Sequence, residues 1–172
     1  MVEERFLLDS NSFIAPYNNF YPFDITPGFW NQLLPILVKD NVMILDLVKS
    51  EVEKGGDELT NWINSIEDIN VLDRRDQIII SKYSEILKFV QESELYNDKA
   101  LREWSRSNVA DPWLIAAAST SGSSLVTFES SAGIINPNNP SGKPKTPDVA
   151  KKFGVKCVDM FYFMRKMGIR WK

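Results

Sequence analysis

The chain has 172 residues, 44% of them hydrophobic and 12% aromatic, which is enough for one sizeable buried core. Its formal net charge is −3, unlike the basic surplus of a general nucleic-acid coat protein, and it contains no histidine. His-based acid–base catalysis, Ser-His and Cys-His nucleophile systems and His-ligated zinc are therefore excluded. The longest apolar stretches, such as residues 33–38, are far too short to span a bilayer. No basic segment, long apolar run and cleavage site mark a signal peptide at the N-terminus. The single Cys157 lies in an apolar run and has no internal disulfide partner. A soluble cytoplasmic protein, folded as a single domain over residues 1–172 and independent of membranes, is the expectation.

In chain order, Phe6, Leu7 and Leu8 form a short continuous apolar run, as expected of a strand covered on both faces. Thr26 and Pro27 open a helix whose apolar face is Phe29, Trp30, Leu33, Leu34 and Leu37, with Pro35 kinking or shortening it. The aromatic stretch Tyr17, Phe20, Tyr21, Phe23, Phe29 and Trp30 reads either as core packing or as a partner or dimer surface. Residues 42–45 are a second strand. Asp46 then caps a helix stopped by Gly55 and Gly56, and Asp57 caps another with Leu59, Trp62, Ile63 and Ile66 as its stripe. Residues 69–72 are a weaker strand candidate. A long helical pattern covers 75–91 through Ile79, Tyr83, Ile86, Leu87 and Val90, and a shorter one covers 99–106. Asp111 and Pro112 open a helix that runs through Ala118 and ends near Gly122. Residues 125–128 and 155–158 are further strands, and a final helix over 159–167 closes at Gly168. The segment 130–147, rich in Asn, Pro, Gly and Ser, is either a mobile flap or a plain disordered loop. Such alternation predicts an α/β sheet with right-handed crossovers.

Four acids stand out by position: Asp9, Glu51, Asp111 and Glu129. Asp9 and Glu129 directly follow strand-like runs, at the edge where open α/β sheets bind ligands. Asp111, at a helix start, serves as a metal ligand, as an N-cap, or as both. Glu51 lies about one turn into its helix, where Asp46 competes with it for the acidic role. Clustered carboxylates repel one another unless a divalent cation sits among them, and their oxygens select Mg²⁺ or Mn²⁺. Two such cations would bring the balance to about +1. Bound ions of this kind support phosphodiester chemistry without a protein nucleophile. Ser10, Asn11 and Thr127 stand where they could hold a water or a phosphate. The basic residues crowd the last third of the chain, either as a solvated face or as a track for RNA.

Read together, LLDSN, the acidic SEV helix, ADPWLIAAA, LVTFES and the ending TPDVAKKFGVKCVDMFYFMRKMG resemble the PIN-domain family, in a prokaryotic branch, across nearly the whole chain. That resemblance implies a three-layer α/β/α fold with a central, mostly parallel sheet of four to five strands. It implies a Mg²⁺- or Mn²⁺-dependent endoribonuclease acting on RNA, often the toxin of a toxin–antitoxin pair held by an antitoxin protein, with a homodimer as the default. Asp9 matches the first-strand Asp of that family, Glu51 its helix acid and Asp111 the Asp that opens the later helix. Glu129 stands where the family more often has Asp. Asn11 matches a polar position that supports the first Asp or touches substrate. The alternative is a catalytically inactive PIN-fold module that binds RNA or protein. Phosphatases of the haloacid-dehalogenase type fit less well, because Asn11 stands where they need Asp. Receiver domains lack their acidic pair here, and the first turn has no Gly for a dinucleotide.

Overall fold

Three consecutive apolar residues, Phe6–Leu8, form β1 in the middle of a five-stranded sheet. The computed structural model describes residues 3–170. The other strands are β2 (Val42–Leu45), β3 (Val71–Leu72), β4 (Ser124–Val126) and β5 (Cys157–Val158), in the order β3-β2-β1-β4-β5. Every neighbouring pair is parallel, and Leu8 lies in register between Ile44 and Val126. All residues of β1, β2 and β4 are buried, because helices cover both faces and leave no side for polar residues. The two edge strands have only two residues each, which limits the unpaired backbone they present.

The helices are α1 (Asn11–Ala15), α2 (Pro27–Leu37), α3 (Asp46–Glu53), α4 (Glu58–Asn64) and α5 (Gln77–Glu92). They continue with α6 (Asp98–Trp104), α7 (Asp111–Ser121), α8 (Thr146–Lys152) and α9 (Met160–Met167). A single π-helical turn, Pro16–Phe20, extends α1. Several ends lie where the sequence places them. The Asp57 carboxylate accepts from Thr60 N at 3.1 Å, and Gly122 and Gly168 close α7 and α9 at φ +66° and +78°. Asp46 differs from expectation. Leu45 occupies the N-cap position of α3, and Asp46 accepts from Arg74 N at 3.2 Å with the Arg74 guanidinium 3.5 Å away. Helix α2 runs two residues past Pro35, where Ile36 and Leu37 are buried, and then stops.

Most of the aromatic stretch is core. Trp30 stacks on Phe23 at 4.3 Å, meets Trp62 of α4 edge-on at 4.8 Å, and donates Nε1–H to the Tyr21 carbonyl at 2.7 Å. On β1, Phe6 meets Phe163 of α9 edge-on at 5.1 Å. Phe20 alone in that stretch is largely exposed, at 59%. The segment 130–147 is tied down rather than free. Ser131 and the Ala132 amide donate to the Asp148 carboxylate, and Ser141 exchanges backbone hydrogen bonds with Leu95 and Asn97. Its last residues, Thr146 and Pro147, already belong to α8.

The chain builds the sheet outward from β1 to β2 and β3, then returns to place β4 on the other side of β1. The strand order therefore reverses between β1 and β4. Their carboxyl ends flank the crevice where open α/β sheets bind ligands.

Candidate metal centre

Asp9 is the first residue past β1, and its amide donates to Val126 O at 3.1 Å, so the pairing with β4 fixes where its side chain begins. Its Oδ1 accepts from Ser10 Oγ at 3.1 Å and its Oδ2 from Thr127 Oγ1 at 3.4 Å. Thr127, just past β4, is held by its own amide on Val158 O at 3.0 Å. Thr127 Oγ1 also accepts from the Glu129 amide at 3.1 Å. On the opposite side, Asp111 opens α7 without capping it. Ala110 is the N-cap, and Asp111 Oδ1 accepts from Thr146 Oγ1 at 2.9 Å. The Thr146 amide donates to Glu129 Oε2 at 2.8 Å, and Lys145 Nζ to Glu129 Oε1 at 2.9 Å. Two buried threonines thus tie the site together, Thr146 bridging the Glu129 and Asp111 carboxylates and Thr127 joining the Asp9 carboxylate to the Glu129 backbone amide.

The electrostatics follow from this crowding. Burial pushes the Asp9 carboxyl up to about 6; the nearby charge of Asp111 and a smaller one from Glu51 add to it, and the Ser10 hydrogen bonds oppose it. Asp111 is also raised, first by burial and then by the charges of Glu129 and Glu51, against the hydrogen bond from Thr146. Neither Asp9 nor Asp111 forms an ion pair among the described residues. Glu51 is exposed and acts on both by charge alone. Asp46, its rival, belongs instead to Arg74.

Asn11 is exposed at the start of α1 and makes no hydrogen bond to these acids. Lys145 and Thr146 join the site without a sequence signal that singles them out. They lie in a segment that reads as loop, although Thr146-Pro147 repeats the Thr-Pro signature of a helix start. As the side chains stand, no three Asp, Glu or Cys among the described residues have the spacing one ion needs. Glu129 is instead engaged by the Lys145 ammonium at 2.9 Å. The donor set still suits a hard divalent ion: every candidate ligand is a carboxylate oxygen, and Asp9 and Asp111 are both raised mainly by burial, with no salt bridge to either among the described residues.

The family described as a domain of unknown function, DUF4411, matches residues 6–171, a span that contains all four acids. The chain belongs to this family. No curated protein matches the DUF4411 chain. Among solved structures, it is similar to a chain in the crystal structure of VapBC2 from Rickettsia felis bound to a DNA fragment from their promoter. The TM-score is 0.51 at 16% sequence identity, over 90% of this chain and 97% of that chain. At that identity the likeness speaks for the fold, so this DUF4411 protein has a PIN-like, three-layer α/β/α fold around a wholly parallel sheet. Among its described residues no helix is long and apolar enough to cross a membrane.

Proposed function

We propose that this protein is a Mg²⁺- or Mn²⁺-dependent endoribonuclease, the toxin half of a toxin–antitoxin pair with a protein antitoxin as its partner. The observation that carries the reading is the placement of Asp9 and Asp111. Both stand at the reversal point of the sheet, the charge of Asp111 raises Asp9, and neither forms a salt bridge among the described residues. Carboxylates held in this way are costly unless a cation joins them. In this reading Asp9 and Asp111 hold the ion, while Glu51 and Glu129 complete its shell or orient bound water. An ion held there would supply a Lewis acid for the phosphodiester and a bound water of lowered pKa. Ser10 and Thr127 orient the Asp9 carboxylate, and Thr146 orients that of Asp111. Asn11, exposed beside Asp9, is free to meet a phosphate or the attacking water. The antitoxin partner rests on the PIN-like fold and on the likeness to a chain of VapBC2, which that crystal holds bound to a DNA fragment from its promoter.

One observation favours a second reading, a PIN-fold module that binds RNA or protein without cutting it. Lys145 already neutralises Glu129, and the carboxylates do not converge on one point. Incubating the purified protein with structured and single-stranded RNAs separates the two readings. Cleavage is expected with Mn²⁺ or Mg²⁺ and is stopped by chelator. RNA left intact at every ion concentration, with no ion-dependent rise in melting temperature, contradicts the nuclease.

A further inference from the structure

A cavity of about 650 Å³, within the roughly 300–1,000 Å³ usual for small-molecule sites, adjoins the acidic site at Thr127 and Glu129. We infer that it receives one unpaired nucleobase of the nucleic-acid strand whose phosphate lies at the acidic site, an inference that rests on the ribonuclease reading above. Thr127 and Glu129 belong to both places: each lines the cavity, and each is hydrogen-bonded within the carboxylate network. An occupant that bridges the two places carries an apolar body and an anionic group for the ion site. A nucleotide has this construction.

The walls suit the flat face of a base. Phe20 ends the π-helical turn, Phe128 follows β4 and Phe161 lies in the first turn of α9. These three rings, from separate segments, line one cavity while 59%, 42% and 58% exposed, respectively. Rings recruited for packing would be covered, as Phe13, Phe29 and Phe163 are. Proteins that take single strands use such rings as stacking platforms, with cations beside them for the backbone. A cation is present: the Arg165 guanidinium lies 5.9 Å from the Phe161 ring centre, and Arg165 forms no salt bridge among the described residues. At the mouth, Ser130 is exposed and able to reach a base edge. A base stacked within a duplex cannot enter, so the site selects unpaired strands.

The test compares nucleoside 5′-monophosphates with ribose 5-phosphate as ligands of the Mn²⁺-supplemented 172-residue chain, by calorimetry, with RNA cleavage followed in parallel. The nucleotides are expected to bind at least about tenfold more tightly than the sugar phosphate. Phe128→Ala and Phe161→Ala should each remove about a tenfold share of that preference, and Phe128→Tyr, which keeps a ring, should restore it. Equal binding of ribose 5-phosphate, or alanine variants that bind nucleotides like the parent, overturns the base site. If cleavage persists in that case, the ribonuclease reading survives its loss. Base-selective binding without cleavage supports the cavity and removes the nuclease. If the alanine variants leave nucleotide binding unchanged but abolish self-association in sedimentation, the face is a contact between copies and the inference is wrong.

Discussion

Asp9→Asn is expected to make the metal-free protein more stable while abolishing its ion-dependent cleavage. At pH 7 the folded protein holds an ionised carboxyl whose pKa burial and neighbouring acids have pushed to about 6, from an ordinary 3.8. At about 1.36 kcal/mol per pH unit, that shift corresponds to at most about 3 kcal/mol of stability forgone. Asparagine has nearly the same shape and no charge, so it escapes this cost. It still accepts one of the two hydroxyl hydrogen bonds, from Ser10 or Thr127, and gives up the other for about 1 kcal/mol. A net gain of about 1–2 kcal/mol, or roughly 2–8 °C in melting temperature for a chain of this size, should appear in calorimetry. Cleavage should fall by about 10³ or more, because the lost carboxylate holds an ion that supplies several kcal/mol of charge stabilisation. A less stable variant that cuts RNA like the parent would show that Asp9 serves the fold and not the site. Sites that sacrifice stability for chemistry commonly behave in the predicted way.

The second large effect is in pH. Between the ordinary aspartate range and about 6, folded Asp9 keeps a proton that the unfolded chain has lost. The metal-free protein therefore gains stability from this residue as pH falls through 6, and loses it as pH rises through 6. Asp111, also raised, acts in the same direction. Asp73 acts in the opposite one, because hydrogen bonds from Arg75 hold it below its usual range. The contribution of Asp9 is isolated by subtracting the melting curve of Asp9→Asn from that of the parent at each pH from 4 to 8. Added Mn²⁺ should reverse the trend, since ion and proton compete for one carboxylate. The ion-induced rise in melting temperature should be small at pH 5 and level off above about pH 7, with affinity falling about tenfold per unit below 6. A rise that is flat across this range would mean that the ion binds elsewhere.

The legible parts of this fold are those in which one physical rule acts alone. A buried parallel strand has no solvent face, so 6–8 and 42–45 appear as unbroken apolar runs where β1 and β2 form, and the mainly apolar 125–128 overlaps β4, which starts at Ser124 and stops at Val126. The two-residue edge strands lie within 69–72 and 155–158, partly exposed and in runs broken by Asn70 and Lys156, so their signal is weaker. Left-handed glycines mark the ends of α7 and α9. Where signals overlap, the pattern misleads. Residues 11–20 mix Asn, Pro and aromatics without a 3.6-residue period, yet form α1 and a π-helical turn. Helix α8 is seven residues long and emerges from a Pro- and Gly-rich segment, so neither it nor its Thr146 is visible in the sequence as part of a site.

The acids follow the same division. A strand end fixes the place of Asp9 and a helix start that of Asp111, and the fold brings both to the reversal point of the sheet. Glu51, exposed on α3, reaches them by charge without a hydrogen bond. Glu129 is drawn toward Lys145 and Thr146, contacts across sixteen or more positions that no local pattern encodes. The choice between Asp46 and Glu51 is likewise made by a distant residue, Arg74.

Anomalous diffraction from a Mn²⁺-soaked crystal addresses the central claim most directly. A manganese peak should lie about 2.0–2.2 Å from a carboxylate oxygen of Asp9 and of Asp111, with Glu51 or Glu129 turned toward it or toward its waters. Manganese bound only elsewhere, with the Asp9 and Asp111 carboxylates still hydrogen-bonded to their hydroxyl partners alone, would contradict it.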